Sequence, residues 1–254
     1  MDTDFYIRKF RGKTERKNKM LFIGDVHAKF DKYTSLLKKY PNEKTFQIGD
    51  FGLGFDSIGK LPDKDKFIRG NHDDPQACLD HPNYLGEYGT FTEDGVKFFY
   101  LGGAYSIDYA WRKARMLQYP LESQQWWPDE ELSVEELTKA REIYSSFKPD
   151  VVFTHEAPNE AGFKLLKELL DRPEKLPCCL SRTANYLNEM FHIYKPRLWV
   201  FGHYHKTVSF YYKETEFICL DELDTLLLKT KEFNSNSMLI SVLGSTVGHN
   251  RIIR

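Results

Sequence analysis

The residues with the greatest capacity for chemistry are Asp50 and several short blocks of histidine, aspartate and asparagine. Asp50 follows the apolar run 46–48 and Gly49, and the carboxyl end of a strand is where open α/β sheets bind their ligands. Each of the other blocks also comes just after an apolar run. These blocks contain Asp25 and His27, Asn71 and His72, His155, and His203 and His205. We predict that they converge on Asp50, and that Asp50 is the shared ligand of two metal ions.

This mixture of carboxylates, one carboxamide and imidazoles is a donor set for divalent metals. It suits Mn²⁺, Fe or Zn²⁺, and it argues against a structural zinc site held by thiolates. Asp25 and His27 are two positions apart in one predicted loop, so both can reach the same ion. His203 and His205 have the same spacing and can serve different ions if the loop turns between them. Two ions roughly 3.5–4 Å apart need a bridging carboxylate, and Asp50 is the best candidate.

Strands and helices must position these blocks, and the apolar pattern predicts them in alternating order. Residues 20–23 and 46–48 are predicted strands, and apolar residues at helical spacing between Tyr33 and Tyr40 predict a helix between them. We expect this βαβ unit to be parallel and right-handed. Residues 66–69 are predicted to form a further short strand.

The middle and the end of the chain continue this pattern. Asp94-Gly95 lies between two apolar runs and predicts a hairpin with a tight turn, where a second or mixed sheet begins. Ser133 and Glu136 have capping-box spacing, which predicts the start of a helix. Further strands are predicted over 151–153 and 198–201, and helical segments near 160–170 and 183–192. Residues 208–212, 217–220 and 238–243 are expected to be later strands of the second sheet.

Residues 102–132 are expected to form an irregular, aromatic-rich insertion. A structureless connection of this length is usually a lid or a binding loop. Tyr105 and Arg112 are its candidate substrate contacts. Trp126 and Trp127 either contact the substrate or pin the loop onto the body of the protein, and the sequence does not choose between these roles.

The composition excludes several classes of protein. The chain has 254 residues, which suits one large α/β domain, and we predict a single domain over residues 1–254. Its formal net charge of -1 gives no overall attraction to nucleic acid or acidic membranes, and no apolar run is long enough to span a bilayer. The four cysteines form no CxxC pair and the N-terminus lacks the features of a secretory signal, so a reduced, cytoplasmic protein is expected.

A basic stretch over residues 8–19 contains seven lysines and arginines against one acid, Glu15. We interpret it as a solvated loop that enters the first strand. The alternative is a phosphate-backbone contact for a nucleic-acid substrate.

Five of the blocks, taken together, are typical of one family. They are Gly24-Asp25-Val26-His27, Gly49-Asp50, Gly70-Asn71-His72-Asp73, Thr154-His155 and Gly202-His203-Tyr204-His205. In order and spacing they resemble the signature blocks of the calcineurin-like metallophosphoesterases. The resemblance spans residues 24–205 and implies an α/β fold of mixed α+β character. That fold is a four-layer αββα sandwich of two mixed β-sheets flanked by helices, with the metals at the strand ends.

The resemblance also implies roles for the site residues. One ion is expected to take Asp25, His27, Asp50 and His205, and the other is expected to take Asp50, Asn71, His155 and His203. Mn²⁺ is the expected metal, with Fe, Zn²⁺ or Ni²⁺ as alternatives. A hydroxide bridging the ions would attack phosphorus in line, and His72 would protonate the leaving alkoxide as general acid or stabilise the transition state. Asp73 would either orient the His72 ring or have a surface role.

Two departures from the family pattern bear on the substrate. Ala28 stands where the first block usually ends in glycine, which is a mild change. Residues 51–54 replace the Asp-Arg-Gly of protein Ser/Thr phosphatases, whose arginine would hold a phosphomonoester. The expected activity is hydrolysis of phosphate esters, and a phosphodiesterase is favoured. Alternatives are a phosphomonoesterase or protein phosphatase, a nuclease, and a non-catalytic scaffold of the same fold. The expected partner is a phosphate ester, with a nucleotide or nucleic acid as candidates, and no membrane partner is expected.

Overall fold

Two six-stranded β-sheets form the centre of the protein. The computed structural model describes residues 19–119, 126–169, 181–234, 240–243 and 251–253. In chain order the strands are β1 (Lys19–Ile23), β2 (Lys44–Ile48), β3 (Asp65–Ile68), β4 (Tyr88–Glu93), β5 (Val96–Leu101), β6 (Val151–Thr154), β7 (Leu198–Phe201), β8 (Val208–Tyr212), β9 (Thr215–Cys219), β10 (Thr225–Lys229), β11 (Ile240–Leu243) and β12 (Arg251–Ile253). The first sheet has the order β12-β11-β10-β1-β2-β3, and the second has the order β4-β5-β6-β7-β9-β8.

Helices connect these strands and cover the sheets. They are α1 (Phe30–Leu37), α2 (Pro75–Asp80), α3 (Tyr109–Gln118), α4 (Val134–Phe147), α5 (Asn159–Phe163), α6 (Arg182–Ile193) and α7 (Thr230–Asn234). A π-helical segment, Lys164–Leu169, continues α5. Among the described residues, no helix combines the length and apolar composition needed to cross a lipid bilayer.

Both sheets are mixed, because each combines parallel and antiparallel pairs. β1, β2 and β3 are parallel, whereas β10 runs antiparallel to β1. In the second sheet β5, β6, β7 and β9 are parallel, and β4 and β8 are antiparallel to their neighbours. The expected parallel pairing of the first two strands, with α1 between them, is confirmed.

Alternating apolar side chains build the layers. In β5, Phe98 and Tyr100 enter the core between the sheets, where they join Phe22 of β1. Phe99 and Leu101 point to the opposite face, into the core that contains residues of α4 and α6. The outer face of the first sheet packs on α1 in the same way. The layer order is therefore helix, sheet, sheet, helix, which confirms the predicted four-layer αββα sandwich.

Two local predictions are confirmed in detail. Asp94 and Gly95 both have positive φ, 50° and 80°, as a tight two-residue hairpin turn requires. Ser133 and Glu136 form the predicted capping box: the Ser133 Oγ accepts from the Glu136 backbone N–H, and the Glu136 carboxylate accepts from the Ser133 N–H. The helix α4 therefore begins where the sequence indicates.

The prediction for residues 238–243 was wrong about the sheet. Ile240–Leu243 is β11 of the first sheet, antiparallel to β10, and residues 238 and 239 lie outside the described part. The preceding strand β10 was not predicted, and it is β10 that leads the chain back beside β1. Periodicity identifies a strand but not its neighbour, because both sheets bury the same kind of apolar face.

The insertion is not irregular throughout, because α3 lies inside it. None of the α3 side chains is buried, so no apolar stripe facing the core marks the helix in the sequence. Its alanines, arginines, lysine, leucine and glutamine are good helix formers, which accounts for the helix.

Some predictions fall wholly or partly outside the described residues. Of the basic stretch only Lys19 is described, as the first residue of β1. Cys178 and Cys179 also lie outside. Cys78 and Cys219 are buried free thiols.

Candidate metal centre and active site

The ends of the parallel strands meet at one edge of the sandwich. In the second sheet Leu101, Thr154 and Phe201 are aligned across three strands, and in the first sheet Ile48 is aligned with Ile68. The loops that leave this edge carry all seven predicted metal ligands. These are Asp25, His27, Asp50, Asn71, His155, His203 and His205.

His155 lies at the centre of the group and is fully buried. Its Nδ1 is 3.0 Å from the carbonyl oxygen of Ile48, which can only accept, so Nδ1 carries a proton. Its Nε2 lies 3.2 Å from Asp50 Oδ1 and 3.2 Å from Asn71 Oδ1. Three donor atoms of the predicted second ion site therefore face one another.

Asp25, His27 and His205 form the other side of the group. His27 Nε2 is 3.6 Å from Asp25 Oδ2 and 3.9 Å from Asp50 Oδ2. His205 Nε2 is 3.8 Å from Asp25 Oδ2, and its ring stacks on that of His27 with 5.0 Å between centroids. These distances bring together the four predicted ligands of the first ion.

Backbone conformation aims several of these side chains. His27, Asp50, His203 and His205 have φ values of 48°, 54°, 69° and 50°, in the left-handed region that residues other than glycine rarely adopt. Each costs of order 1 kcal/mol or more, and such strain clusters at functional sites. Ala28 has a φ of 58°, so the chain retains a strain here that a glycine would relieve.

Glycines let the ligand loops approach one another closely. A Cβ on Gly70 would lie 2.7 Å from His155 Cδ2 and closer still to the Asp50 carboxylate. A Cβ on Gly49, which has a φ of +100°, would lie 2.7 Å from His155 Cβ. Glycine is needed at both positions because ligand side chains occupy the space of a methyl group.

The unpaired atoms of the group fit a cation. Among the described residues, Asp25 Oδ2, Asp50 Oδ2 and His27 Nε2 are buried and have no hydrogen-bond partner. Burial opposes a charge on His155, yet the carboxylates of Asp50 and Asp25 raise its pKa to about 10. Carboxylates that hold a proton so firmly on a buried imidazole create a potential that favours positive charge. The clustered aspartates and histidines thus support divalent metal binding.

His203 contacts a residue that the sequence did not single out. Its Nε2 lies 3.7 Å from Glu156 Oε2, and burial lowers its pKa. Glu156 also accepts a hydrogen bond of 2.7 Å from the Tyr204 hydroxyl and is 1% exposed. The only signal in the sequence was an acidic residue directly after His155.

His72 forms the wall of the site rather than its floor. Its Nε2 is 4.0 Å from Asp50 Oδ2, and its ring nitrogens each lie 3.2 Å from a guanidinium nitrogen of Arg112. Burial, reinforced by the nearby Arg112, lowers the pKa of His72 to about 4, although Asp50 opposes this. The Arg112 side chain is itself held by Asp108 at 2.8 Å.

Asp73 has neither of the two roles expected for it. Its carboxylate is fully buried and accepts hydrogen bonds from the backbone N–H groups of Phe51 and Gly70, at 3.0 and 2.7 Å. It also accepts from the Gly52 N–H at 2.5 Å. Asp73 therefore ties the loop after β2 to the loop after β3 and does not orient the His72 ring.

A cavity of about 490 Å³ opens above the group. Its lining includes Asp50, Asn71, His72, Ser106, Arg112, Leu166 and His203. Tyr105, the other predicted substrate contact, does not line this cavity; its ring lies 5.7 Å from that of Tyr109. Trp127 is buried and packs edge-on against Phe55, so it pins the insertion onto the body.

Ser106 and Glu130 were also missed, although both are buried beside the predicted ligand Asn71. The Asn71 Nδ2 donates to Ser106 Oγ at 2.9 Å, and Ser106 Oγ donates to Glu130 Oε2 at 2.6 Å. No motif marks these two residues, because they belong to the insertion.

Solved structures with the same fold include proteins of different kinds. The phosphopantetheinyl hydrolase of Mycobacterium tuberculosis is 14% identical, with a TM-score of 0.50 over 90% of this chain and 96% of that one. GAP50, described as the anchor in the inner membrane complex of Plasmodium, is 12% identical, with a TM-score of 0.53 over 93% of this chain and 89% of that one. At these identities the likenesses show the fold alone.

No curated protein sequence matches the chain. The model of the calcineurin-like phosphoesterase family matches residues 19–207, a range that contains every block carrying a candidate ligand. The chain therefore belongs to the calcineurin-like phosphoesterase family.

Proposed function

We propose that this protein hydrolyses phosphodiesters with two divalent cations, of which Mn²⁺ is the expected metal. Membership of the family supports a metal-dependent phosphoester hydrolase. One cation would be held by Asp25, His27, Asp50 and His205. The other would be held by Asp50, Asn71, His155 and His203.

One observation carries the proposal. Three buried ligand atoms of Asp25, Asp50 and His27 have no hydrogen-bond partner among the described residues, and Asp50 also lines the 490 Å³ cavity. Buried polar atoms without a partner cost folding free energy, and a bound group that pairs with them removes this cost. The cavity is large enough for a nucleotide-sized ester.

Each side chain around the cavity has a separate task. When bound, the cations supply Lewis-acid stabilisation of the phosphoryl oxygens. His72 stands on the cavity wall, and as general acid its ring would turn one N–H from Arg112 toward the leaving oxygen. Arg112 adds fixed positive charge beside His72, where negative charge builds on the ester oxygens. The backbone N–H of His72 donates to Asp50 Oδ1 at 2.9 Å, which fixes the orientation of the carboxylate that both cations would share.

The loop after Asp50 supports a diester rather than a monoester substrate. Phe51 is fully buried and stacks on Phe67 with 4.5 Å between ring centroids. This loop therefore belongs to the core. It carries no arginine to bind the additional negative charge that a phosphomonoester has relative to a diester. The available arginine, Arg112, comes instead from α3 and lies next to His72.

The test compares hydrolysis of bis(p-nitrophenyl) phosphate and p-nitrophenyl phosphate with Mn²⁺. We expect a higher kcat/KM for the diester, a loss of at least about 10²-fold in Asp50→Asn, and a loss of about 10²–10⁴-fold in His72→Ala. His192→Ala is the matched control, because His192 is half exposed on α6 and bonds Glu160. Equal activity of wild type and Asp50→Asn would remove the proposal. A purified protein without metal and without activity would instead indicate a scaffold.

A nucleic-acid substrate is the second candidate, and α3 favours it. The helix carries Arg112, Lys113 and Arg115 and no acidic residue. Trp111 is 57% exposed and lies under the Arg115 guanidinium, 5.5 Å from it. Exposed aromatic rings among basic side chains bind single-stranded nucleic acid by stacking and charge.

Cleavage of a fluorescent single-stranded oligonucleotide tests this candidate. We expect Lys113→Gln with Arg115→Gln to raise KM for the oligonucleotide about tenfold at low salt and to leave bis(p-nitrophenyl) phosphate hydrolysis unchanged. Lys139→Gln on α4 is the control, because that lysine is exposed and pairs with Glu135. No cleavage of single- or double-stranded oligonucleotides would exclude a nuclease.

A further inference from the structure

We propose that Ser106 and Glu130 are positioning residues that fix the orientation of the Asn71 side chain and thereby shape one cation site. The inference rests on the proposed function, because it concerns how a ligand of that site is held. Ser106 lines the cavity and Glu130 lies behind it, and both act on the predicted ligands through Asn71. Both come from the insertion, which would give that segment a role in building the metal centre.

The geometry defines a chain of two hydrogen bonds. Asn71 Nδ2 lies 2.9 Å from Ser106 Oγ, and Ser106 Oγ lies 2.6 Å from Glu130 Oε2. The other carboxylate oxygen, Oε1, accepts from the Ser106 backbone N–H at 2.8 Å. Asn71, Ser106 and Glu130 are 3%, 2% and 4% exposed, so water has little access to compete for these bonds.

The donor and acceptor roles in these two hydrogen bonds fix the orientation of the Asn71 amide. An ionised carboxylate can only accept, so the Ser106 hydroxyl must donate its one proton to Glu130. The Ser106 oxygen is then left as an acceptor, and only the NH₂ end of Asn71 can satisfy it. The Asn71 Oδ1 is consequently turned toward His155 Nε2, 3.2 Å away. A flipped amide would instead point its NH₂ group at the cations.

The insertion is fastened beside the ligand loop by further bonds. Arg69 Nη1 donates to the Glu130 carbonyl oxygen at 2.8 Å, and the Gly103 N–H donates to the Arg69 carbonyl oxygen at 2.8 Å. Arg69 precedes Gly70 and Asn71 at the end of β3. The two parts of the insertion that contain Ser106 and Glu130 are thus both bonded to Arg69, just after β3.

A stabilising role does not account for Glu130. Among the described residues, no lysine or arginine side chain forms an ion pair with its carboxylate, and burial raises its pKa to about 7. A buried carboxylate without a cationic partner opposes folding. Its presence next to a predicted metal ligand is explained if it orients that ligand, since groups behind metal ligands typically tune metal affinity.

The experiment measures Mn²⁺ binding by calorimetry at pH 8, where Glu130 is ionised. We expect Ser106→Ala and Glu130→Gln to weaken Mn²⁺ binding at one site by about 10–100-fold. Glu130→Gln keeps the shape but cannot accept both bonds from Ser106. Ser106→Thr, which retains the hydroxyl, is expected to bind Mn²⁺ like the wild type.

Thr45→Val is the matched control. Thr45 Oγ1 donates to the buried carboxylate of Asp65 at 2.8 Å, so the variant removes the same kind of buried hydroxyl–carboxylate bond near the start of β2. Its Mn²⁺ affinity is expected to equal that of the wild type. Unchanged affinity in both Ser106→Ala and Glu130→Gln overturns the inference, as does equal weakening in Thr45→Val.

A second readout needs no metal. In wild type treated with a chelator, the side-chain NH₂ protons of Asn71 are expected to exchange with solvent about tenfold more slowly than in Ser106→Ala, by NMR. Wild type that binds no Mn²⁺ but shows this difference overturns the proposed function while supporting the orientation of Asn71. Wild type that binds Mn²⁺ without the difference overturns the inference and leaves the proposed function intact.

Discussion

Replacing Gly70 by alanine tests whether close approach of the loops builds the metal centre. Gly70 lies between β3 and Asn71 and is buried. The added methyl carbon would lie 2.7 Å from His155 Cδ2 and closer still to Asp50 Oδ1. The variant thus disturbs two predicted ligands while leaving every ligand residue in the sequence.

The magnitude follows from these distances. Ordinary van der Waals contact begins at 3.4 Å, so Asp50 or His155 must move by roughly 1 Å. Overpacking of this kind lowers the free energy of unfolding by about 1–3 kcal/mol. A misplacement of about 1 Å at a reacting centre lowers kcat by about 10²-fold. A loss of 10²-fold corresponds to about 2.7 kcal/mol of activation free energy, so the losses of catalysis and of stability are expected to be of similar size.

The assay compares bis(p-nitrophenyl) phosphate hydrolysis, Mn²⁺ affinity and thermal unfolding of Gly70→Ala with those of Gly59→Ala. Gly59 is exposed, and no atom lies within 4 Å of the position that an added methyl group would occupy there, so this control makes the same chemical change in open space. We expect wild-type behaviour from Gly59→Ala. Wild-type kcat and Mn²⁺ affinity in Gly70→Ala would refute the reasoning, because the methyl group would then fit without moving a ligand.

Three further predictions concern the free energy of unfolding. Mn²⁺ at 100 times its dissociation constant is expected to stabilise wild type by about 2.7 kcal/mol and to stabilise Asp50→Asn much less, by urea unfolding. Asp73→Ala is expected to lose about 3 kcal/mol or more, because the backbone N–H groups of Phe51, Gly52 and Gly70 lose their buried acceptor; a loss under 1 kcal/mol would contradict that role. Burial raises the pKa of Glu130 from 4.5 to about 7, so its folded state favours the protonated form. Wild type should lose up to about 3 kcal/mol relative to Glu130→Gln as the pH rises from 4.5 through 7, and an unchanged difference between pH 5 and pH 8 would count against it.

Local patterns indicated which side chains the fold brings together, for a physical reason. Asp25 and Asp50 each follow a strand of the first sheet after one glycine, and His155 directly follows β6 of the second sheet. Parallel strands of one sheet end at a common edge, so within each sheet the convergence follows from strand order and direction. The capping box at Ser133 and the turn at Asp94 are equally local and were equally predictable.

The features that the sequence did not predict depend on contacts between distant segments of the chain. Ser106 and Glu130 acquire their role only when the insertion folds against Asn71, and no periodicity records that contact. The sheet to which Ile240–Leu243 belongs was set by pairing with β10, not by its own residues. Asp73 looked like a partner for His72, but its neighbours along the chain gave no sign of the backbone N–H groups that surround it.

The strand-end loops that meet at His155 come from both sheets. Asp25 and Asp50 extend from the first sheet, while His155 and His203 extend from the second. A cation held jointly by them would cross-link the two sheets, since the sheets could not separate without releasing it. Occupancy should therefore slow proteolytic cleavage throughout the body of the protein and not merely around the rim of the pocket.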